Sequence, residues 1–290
     1  MNYVFFGNPY RAAVVLEKLC DQGLPPLATV TAPDRPIGRK RTLTPTAVKL
    51  VASANNLPTH LANTKSELRE LIPTLKSYQP DFFIVVAYGV IMPPEIISIP
   101  TYDTLNLHYS LLPQWRGASP VVQQILNDNQ TVGYSIMKMV EQLDAGGIYH
   151  QESWPMPDPT PTTEDLATAM SHNCARILPD ITNKIISGHL LPNPQDEQEA
   201  TYCYKIQKTD SLVDIKNDSQ RSIYLKTKAY YPWPKAHFFT NRNDVEYRVV
   251  INETDWVDDS LVIKSVTPSG KKPMTWQEFS HWLGHDLLLA

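Results

Sequence analysis

The chain has few cysteines and lacks a long apolar stretch. Only three of its 290 residues are cysteines, Cys20, Cys174 and Cys203, and they are far apart, without the spacing of metal ligands. An odd number of isolated cysteines indicates free thiols in a reducing compartment. We find neither an apolar run of about 20 residues nor a signal peptide. We therefore expect no membrane segment and no secretion, and the predicted location is the cytoplasm.

The chain also lacks a strong excess of charge of one sign. Its 26 basic and 30 acidic residues give a net charge of −4, and 42% of all residues are hydrophobic. Since the chain is not a polycation, any contact with a nucleic acid must come from a local basic patch. A chain of this length and hydrophobic content can form one large domain or two smaller ones.

Two kinds of binding motif are missing as well. Gly7-Asn8-Pro9 follows a predicted strand, where a nucleotide-binding turn would lie. The segment lacks both the G-x-G-x-x-G pattern and the lysine of a phosphate-binding loop, which excludes a dinucleotide cofactor. No cluster of histidine, cysteine and aspartate has metal-ligand spacing, so we expect no metal.

Short apolar runs alternate with helical patterns through about the first 150 residues. The predicted strands cover residues 3–6, 27–31, 82–87, 104–107 and 133–139. The predicted helices cover residues 11–22, 45–55, 65–78 and 117–127. Continuous apolar strands separated by helices are typical of a parallel sheet that is covered on both faces. The pattern predicts an α/β fold with a Rossmann-like, mostly parallel sheet and flanking helices.

The pattern changes in the last third of the chain. A long helix is predicted over residues 163–187, followed by a polar segment with several prolines that suits a linker. Short strands at residues 247–251 and 261–266 and a helix at 275–282 favour a small C-terminal β-barrel. We predict a catalytic domain over residues 1–188, a linker over 189–199 and a second domain over 200–290.

Asn106, His108 and Asp144 are the candidate catalytic residues. Asn106 and His108 are two positions apart in an apolar run, so on a strand they project from the same face. An amide, an imidazole and a carboxylate can stabilise an oxyanion, move a proton and orient the group that moves it. This set indicates group transfer through a tetrahedral intermediate, without a metal or a covalent enzyme intermediate. Each residue alone is more often structural, because a histidine can pack at a strand end and an aspartate can cap a turn.

Three motifs in this stretch resemble the signature of the folate-dependent formyltransferases: Asn106-Leu107-His108, then Ser110-Leu111-Leu112-Pro113-Gln114-Trp115-Arg116-Gly117-Ala118, then Leu143-Asp144-Ala145-Gly146. Residues 1–10, 34–49, 85–89 and 200–208 further resemble the methionyl-tRNA formyltransferase family. The resemblance implies a formyl donor, 10-formyltetrahydrofolate, and an acceptor, the α-amine of methionine on initiator tRNA. It also implies the family's OB-like, tRNA-binding C-terminal barrel.

The resemblance implies binding residues for both substrates. For folate they are Ser110, Leu111, Leu112 and Pro113, together with Val86, Ala87, Tyr88 and Gly89 at the end of the third strand. For tRNA they are Arg35, Arg39, Lys40 and Arg41 in a basic loop, with Arg39 matching the family's key loop arginine. Lys205 and Lys208, at the entry to the barrel, are candidate tRNA contacts by their charge. The plainer interpretations are a buried turn for the first group and solvated charges for the second.

Two other functions stay open. An amino-sugar nucleotide N-formyltransferase would share the three catalytic residues, but it does not predict the basic loop or the barrel entry. A noncatalytic RNA-binding relative would not require an intact catalytic set. Tyr109, Gln114 and Gly147 depart from the family pattern and are expected at the rim of the pocket. We expect a monomer that does not contact a membrane.

Overall fold

The computed structural model describes residues 1–38 and 40–284. The chain divides into two units. The first comprises Met1–Gly117, Gly133–Ser153 and Ala167–Tyr202, and the second comprises Ala118–Val132, Trp154–Leu166 and Cys203–Ala290. Two short segments before residue 167 thus group with the C-terminal part. The predicted domain boundaries at residues 188 and 200 stay a prediction.

Among the described residues up to position 155, ten strands form: β1 (Tyr3–Gly7), β2 (Ala28–Thr31), β3 (Arg35–Ile37), β4 (Thr42–Thr44), β5 (Thr59–Leu61), β6 (Phe82–Val86), β7 (Asp103–His108), β8 (Arg116–Gly117), β9 (Thr131–Lys138) and β10 (Ile148–Pro155). Seven of them form one sheet in the order β10-β9-β7-β6-β1-β2-β5. The five strands from β7 to β5 in that order run parallel, and β9 is antiparallel to β7. The predicted mostly parallel α/β sheet is confirmed.

The helices are α1 (Tyr10–Asp21), α2 (Ala47–Ala54), α3 (Lys65–Glu70), α4 (Ile72–Ser77), α5 (Pro94–Ile97), α6 (Pro120–Leu126), α7 (Thr163–Ile186), α8 (Gln220–Ala229) and α9 (Trp276–Leu283). Every residue of β1 and β6 is buried. One core cluster includes Val4 and Phe6 of β1 with Phe83 and Val85 of β6. Each such side chain contributes about 1.5–3 kcal/mol by leaving water, so the two central strands are firmly held. None of the helices in the described part of the chain has the length and apolarity needed to cross a membrane.

The predicted helix over residues 65–78 is two helices. Leu71 ends α3 and precedes α4, and Pro73 lies in the first turn of α4. A proline has no backbone N–H to donate and restricts the residue before it, so it favours the first turn of a new helix over the continuation of α3. The predicted helix at residues 117–127 begins only at Pro120, since Arg116 and Gly117 form β8.

The basic loop is a hairpin, which the sequence did not predict. Arg35 pairs with Thr44, and Ile37 pairs with Thr42, in an antiparallel register. All residues of β3 are exposed, and in β4 only Thr44 is half-buried. The strands were missed because they are three residues long and have no buried face that would impose an alternating pattern.

In the second unit a four-stranded antiparallel sheet follows the short strand β11 (Tyr202–Cys203). Its strands are β12 (His237–Arg242), β13 (Val245–Val257), β14 (Ser260–Pro268) and β15 (Met274–Thr275), in the order β12-β13-β14-β15. The core beside it includes Phe238, Val249, Val266 and Phe279, all almost fully buried. A small antiparallel β domain after the α/β sheet is therefore confirmed.

Candidate active site

The carboxyl end of β7 positions Asn106 and His108. In the sheet Asn106 lies between Val85 of β6 and Met137 of β9. Its side chain is half-buried, and its amide has no hydrogen-bond partner among the residues that the structure describes. An unengaged amide at the end of a parallel strand, where sites form in such sheets, is available to donate to a ligand.

His108 is 4% exposed and is held from both ring nitrogens. Its Nε2 lies 2.9 Å from the carbonyl oxygen of Trp115. A carbonyl oxygen only accepts, so Nε2 must donate and carries the proton of the neutral ring. Nδ1 lies 3.6 Å from Oδ2 of Asp144. In the neutral ring this nitrogen therefore presents its lone pair toward the carboxylate, and protonation there would form an ion pair.

Asp144 is 9% exposed and lies in a backbone conformation that L-residues rarely adopt. Its φ is 51°, and that of Trp115, whose carbonyl holds His108, is 59°. Left-handed backbone at a non-glycine residue costs about 1–3 kcal/mol and persists where the surroundings enforce it. The backbone N–H of Gly117 donates to Oδ2 of Asp144 at 2.8 Å. Asp144 and Trp115, both with left-handed backbone, therefore supply the carboxylate and the carbonyl on the two sides of the His108 ring.

Arg116, which directly precedes Gly117, is fully buried, and the sequence analysis assigned it no role. Its Nη1 and Nη2 donate to the two carboxylate oxygens of Glu197 at 2.9 and 2.8 Å. This bidentate contact raises the pKa of Arg116 and lowers that of Glu197. The sequence did contain a signal for this pair. Arg116 stands in an apolar motif, and a buried guanidinium requires a carboxylate partner.

The segment Ser110 to Pro113 is fixed by hydrogen bonds from neighbouring strands. Ser110 is fully buried and its hydroxyl donates to the carbonyl of Gln114 at 2.6 Å, while Leu112 is 3% exposed. The hydroxyl of Ser135 donates to the carbonyl of Ser110 at 2.7 Å and accepts from the N–H of Leu112 at 3.0 Å. Leu111 and Pro113 are half-buried. Of the four predicted folate contacts here, these two present accessible surface.

The other predicted folate segment follows β6. Val86 is fully buried, and Tyr88 is 2% exposed and donates its hydroxyl to the carbonyl of Ala62 at 2.6 Å. Asn8 donates its side-chain amide to the carbonyl of Tyr88. Ala87 is half-buried with φ 46°, and Gly89 is exposed with φ 85°. Ala87 and Gly89 are therefore the accessible members of this segment.

The predicted tRNA contacts lie in both units. Lys40 and Arg41 are exposed in the turn of the β3–β4 hairpin. Arg35, also exposed, donates to the side chain of Asn63. Arg39 lies outside the described residues. Lys205 and Lys208 are exposed in the second unit.

Lys208 borders an open cavity of about 530 Å³ in the second unit. Its lining combines positive charge with aromatic surface and includes Trp233, Phe239 and Arg248. Trp233 and Phe239 are 55% and 47% exposed.

Two of the three departures from the family pattern have packing roles. The hydroxyl of Tyr109 lies 2.9 Å from that of Ser171 in the buried core. A Cβ on Gly147 would lie 2.8 Å from Cβ of Pro192, so the close approach of residue 192 explains the glycine. Gln114 is exposed.

A metal site is not formed by any group of three histidine, cysteine, aspartate or glutamate residues within residues 1–38 and 40–284. The site as described therefore consists of one free amide, one imidazole and one carboxylate, with backbone groups around them. Such a set can stabilise a negative oxygen and exchange a proton.

Comparison with known proteins agrees with this chemistry. Residues 1–182 match the family described as Formyl transferase. The methionyl-tRNA formyltransferase of Geobacillus sp. (strain WCH70) is 36% identical over 310 residues, which cover 99% of this chain and 96% of that protein.

Solved structures share the fold at low identity. The methionyl-tRNA formyltransferase from Clostridium thermocellum has a TM-score of 0.63 at 15% identity, covering 92% of this chain and 98% of that one. HypX from Aquifex aeolicus, solved in complex with tetrahydrofolic acid, has a TM-score of 0.65 at 13% identity. The match covers 97% of this chain and 47% of HypX, so the chain spans about half of that protein. On the family match and the near full-length relative, the chain belongs to the formyl transferase family, alongside the methionyl-tRNA formyltransferases.

Proposed function

We propose that the chain transfers a formyl group from 10-formyltetrahydrofolate to the α-amine of methionine carried by initiator tRNA, and so serves translation initiation. The observation that carries this proposal is the contact between His108 and Asp144 beside Asn106 on the same strand β7, in a chain related over nearly its full length to enzymes of that activity. The formyl donor supplies an activated one-carbon group. The residues of this chain must bind it, orient the amine, stabilise the negative oxygen and take up a proton.

Asn106 is the oxyanion donor in this proposal. Its amide is unengaged within the described chain and can donate at any protonation state. His108 is less suited to that task, since its one N–H is already given to the carbonyl of Trp115. A preorganised donor of this kind contributes about 2.7–4 kcal/mol to the transition state.

His108 and Asp144 together take up the proton that the amine releases as its bond to the formyl carbon forms. When the bond from that carbon to N10 of the folate breaks, the proton passes to N10, and tetrahydrofolate leaves as a neutral amine. An α-amine titrates near pH ~8, and the adjacent ester lowers that value, so much of the acceptor is neutral at pH 7. The enzyme therefore needs a proton acceptor and not a strong base. Nδ1 of His108 and Oδ2 of Asp144 face each other at 3.6 Å, and a proton taken by either is stabilised by the other.

The proposed folate site lies beside Asn106, at the ends of β6 and β7. The end of β6 is adjacent to β7, with Val86 paired to Leu107, so Ala87 and Gly89 follow on directly beside the catalytic strand. Ala87 and Gly89 offer backbone groups, while Leu111 and Pro113 offer partly exposed apolar surface. Apolar walls with a few polar groups are typical of small-molecule sites.

The β3–β4 hairpin is the proposed contact for the acceptor end of the tRNA. It combines exposed Arg35, Lys40 and Arg41 with the exposed apolar residues Ile37 and Leu43, which are 59% and 68% exposed. Guanidinium and ammonium groups bind phosphates, and exposed apolar side chains can pack on ribose and bases. In the second unit, Lys205 and the cavity beside Lys208 are the proposed second contact.

The main rival is a formyltransferase that acts on a nucleotide-linked amino sugar. Such an enzyme needs no exposed basic hairpin. The test supplies 10-formyltetrahydrofolate with either methionyl-tRNA or a nucleotide-linked amino sugar and measures formyl transfer to each. We expect transfer to methionyl-tRNA, and transfer to the sugar alone would overturn the proposal. A noncatalytic RNA-binding protein would bind tRNA and transfer nothing to either acceptor.

The proposed partners are initiator methionyl-tRNA and folate, and the proposed location is the cytoplasm. The proposed oligomeric state is a monomer. Size-exclusion chromatography with light scattering checks this, since one subunit of this chain has a mass of 32.8 kDa.

A further inference from the structure

The segment predicted as a linker is hydrogen-bonded to the loop that carries Asp144. Asn193 and Ile148 exchange backbone hydrogen bonds of 2.8 Å in both directions. Ile148 begins β10, four residues after Asp144. The loop between them is tightly packed, since a Cβ on Gly146 would lie 1.8 Å from the carbonyl oxygen of Lys138. The segment predicted as a linker therefore helps to hold the loop that carries Asp144.

Gln195 makes three hydrogen bonds from this segment. Its Nε2 donates to the carbonyl of Asp144 at 2.8 Å and to the carbonyl of Gly146 at 2.7 Å. Its Oε1 accepts from Nε of Arg116 at 2.9 Å. Both amide hydrogens are thus used on two carbonyls of the Asp144 loop, and the amide oxygen is tied to the buried guanidinium.

Arg116 connects the two residues that hydrogen-bond to Asp144, namely Gly117 and Gln195. The next residue, Gly117, donates its N–H to the carboxylate of Asp144, while Gln195 holds the main chain of the same residue. Arg116 is itself fixed by Glu197 and by a 2.8 Å backbone hydrogen bond to the carbonyl of Thr201. The side chain and the main chain of Asp144 are therefore anchored to the same buried residue.

We propose that Gln195 is a positioning residue for formyl transfer, which keeps Asp144 in its left-handed conformation and its carboxylate facing His108. Without the two donated hydrogen bonds, the backbone at Asp144, with φ 51°, can relax to an ordinary conformation and carry the carboxylate away from Nδ1. A displacement of about 1 Å at a reacting group costs roughly 100-fold in rate. The inference rests on the proposed role of Asp144.

The test uses the substitution Gln195→Glu in the full chain. A glutamate has the same shape and still accepts from Arg116, but at neutral pH it cannot donate to the two carbonyls. We expect kcat for formyl transfer to fall by about 10-fold to 100-fold, while KM for 10-formyltetrahydrofolate and for methionyl-tRNA changes less than about twofold. The deficit relative to the unmodified chain should shrink toward acid pH, where the new carboxyl group regains one donor.

The matched control is Gln198→Ala, an exposed glutamine in the same segment whose side chain makes no hydrogen bond within the described chain. It should keep the kcat of the unmodified chain. Gln195→Met is the second variant, for use if Gln195→Glu does not fold. It cannot form any of the three hydrogen bonds, should lower kcat in the same way, and should show no recovery at acid pH.

The final arm combines Gln195→Glu with Asp144→Asn. If Gln195 acts through Asp144, the double variant is no slower than Asp144→Asn alone, because interacting residues are not additive. Multiplied losses, or a raised KM with an unchanged kcat, would overturn the inference. An Asp144→Asn variant with normal turnover would instead overturn the proposed role of Asp144 itself, so the two failures are distinguishable.

Discussion

Nδ1 of His108 lies 3.6 Å from Oδ2 of Asp144, and the two side chains are only 5% and 10% exposed. Charges that face each other away from water interact more strongly than charges at a surface. Nε2 of the same ring is committed to the carbonyl of Trp115, which leaves Nδ1 as the nitrogen that can change its protonation. This relationship supports the proposed division of roles, in which His108 and Asp144 handle the proton and Asn106 stabilises the oxyanion.

Asn106→Ala should lower kcat by about 100-fold or more, because it removes an unengaged donor at the end of β7. The variant should still fold, since the Asn106 amide makes no hydrogen bond to another described residue. The measurement is single-turnover formyl transfer, with thermal unfolding to verify the fold. Asn183→Ala, at an exposed position of α7, is the control. Near-normal turnover of a folded Asn106→Ala would exclude the residue as the oxyanion donor.

Asp144→Asn should lower turnover strongly with little loss of folate affinity. Asparagine keeps the shape and can still accept from the N–H of Gly117, but it carries no charge to stabilise a protonated His108. Equilibrium binding of folate and single-turnover rates, measured on the same preparation, separate the two effects. If affinity collapses and the bound complex reacts at a normal rate, Asp144 is a binding residue and not a proton acceptor.

Arg39→Ala should weaken binding of tRNA and leave folate binding intact. The exposed neighbours Lys40 and Arg41 place this part of the hairpin at the surface, although Arg39 itself lies outside the described residues. Each phosphate contact that is lost should reduce the slope of log affinity against log salt by roughly 0.7 to 0.9. Lys76→Ala, an exposed lysine of α4, is the charge-matched control. An unchanged salt slope would leave the hairpin as ordinary solvated surface and favour the amino-sugar rival.

Glu197→Gln should remove part of the acid sensitivity of the chain. Hydrogen bonds from Arg116 hold the pKa of Glu197 below its usual value of about 4.3. A carboxylate with a lowered folded-state pKa contributes stability above its unfolded value and loses it as pH falls through the folded value. The unmodified chain should therefore have a higher Tm than Glu197→Gln at pH 6 to 7, and this difference should disappear in acid.

The control for this experiment is Glu95→Gln. The pKa of Glu95 is lowered by a hydrogen bond from Arg69, away from the Arg116–Glu197 pair. It should reduce acid sensitivity in the same direction without changing kcat, whereas Glu197→Gln should also lower kcat by loosening Arg116. Equal kcat values in the two variants would mean that the Arg116–Glu197 pair is only structural.

Local pattern determined much of the first unit. The strands β1 and β6 were predicted because their residues are almost continuously apolar, and β2 and β7 because each contains a short apolar-rich run. Such runs are a property of consecutive positions. The two-residue spacing of Asn106 and His108 places both on one face of β7, as predicted. The short strands of the basic hairpin and β5 were not predicted, because three-residue segments without a regular pattern give too little signal.

The sequence by itself determined the fold class, the family and the three catalytic candidates, because each depends on short patterns or on motifs that are read in order. Only the tertiary structure decided how Asp144 is held. Gln195 and Glu197 are 51 and 53 positions after Asp144 in a polar segment that reads as a linker. No local rule relates them to the site. Their role follows from the buried charge of Arg116, which must find partners wherever the folded chain brings them.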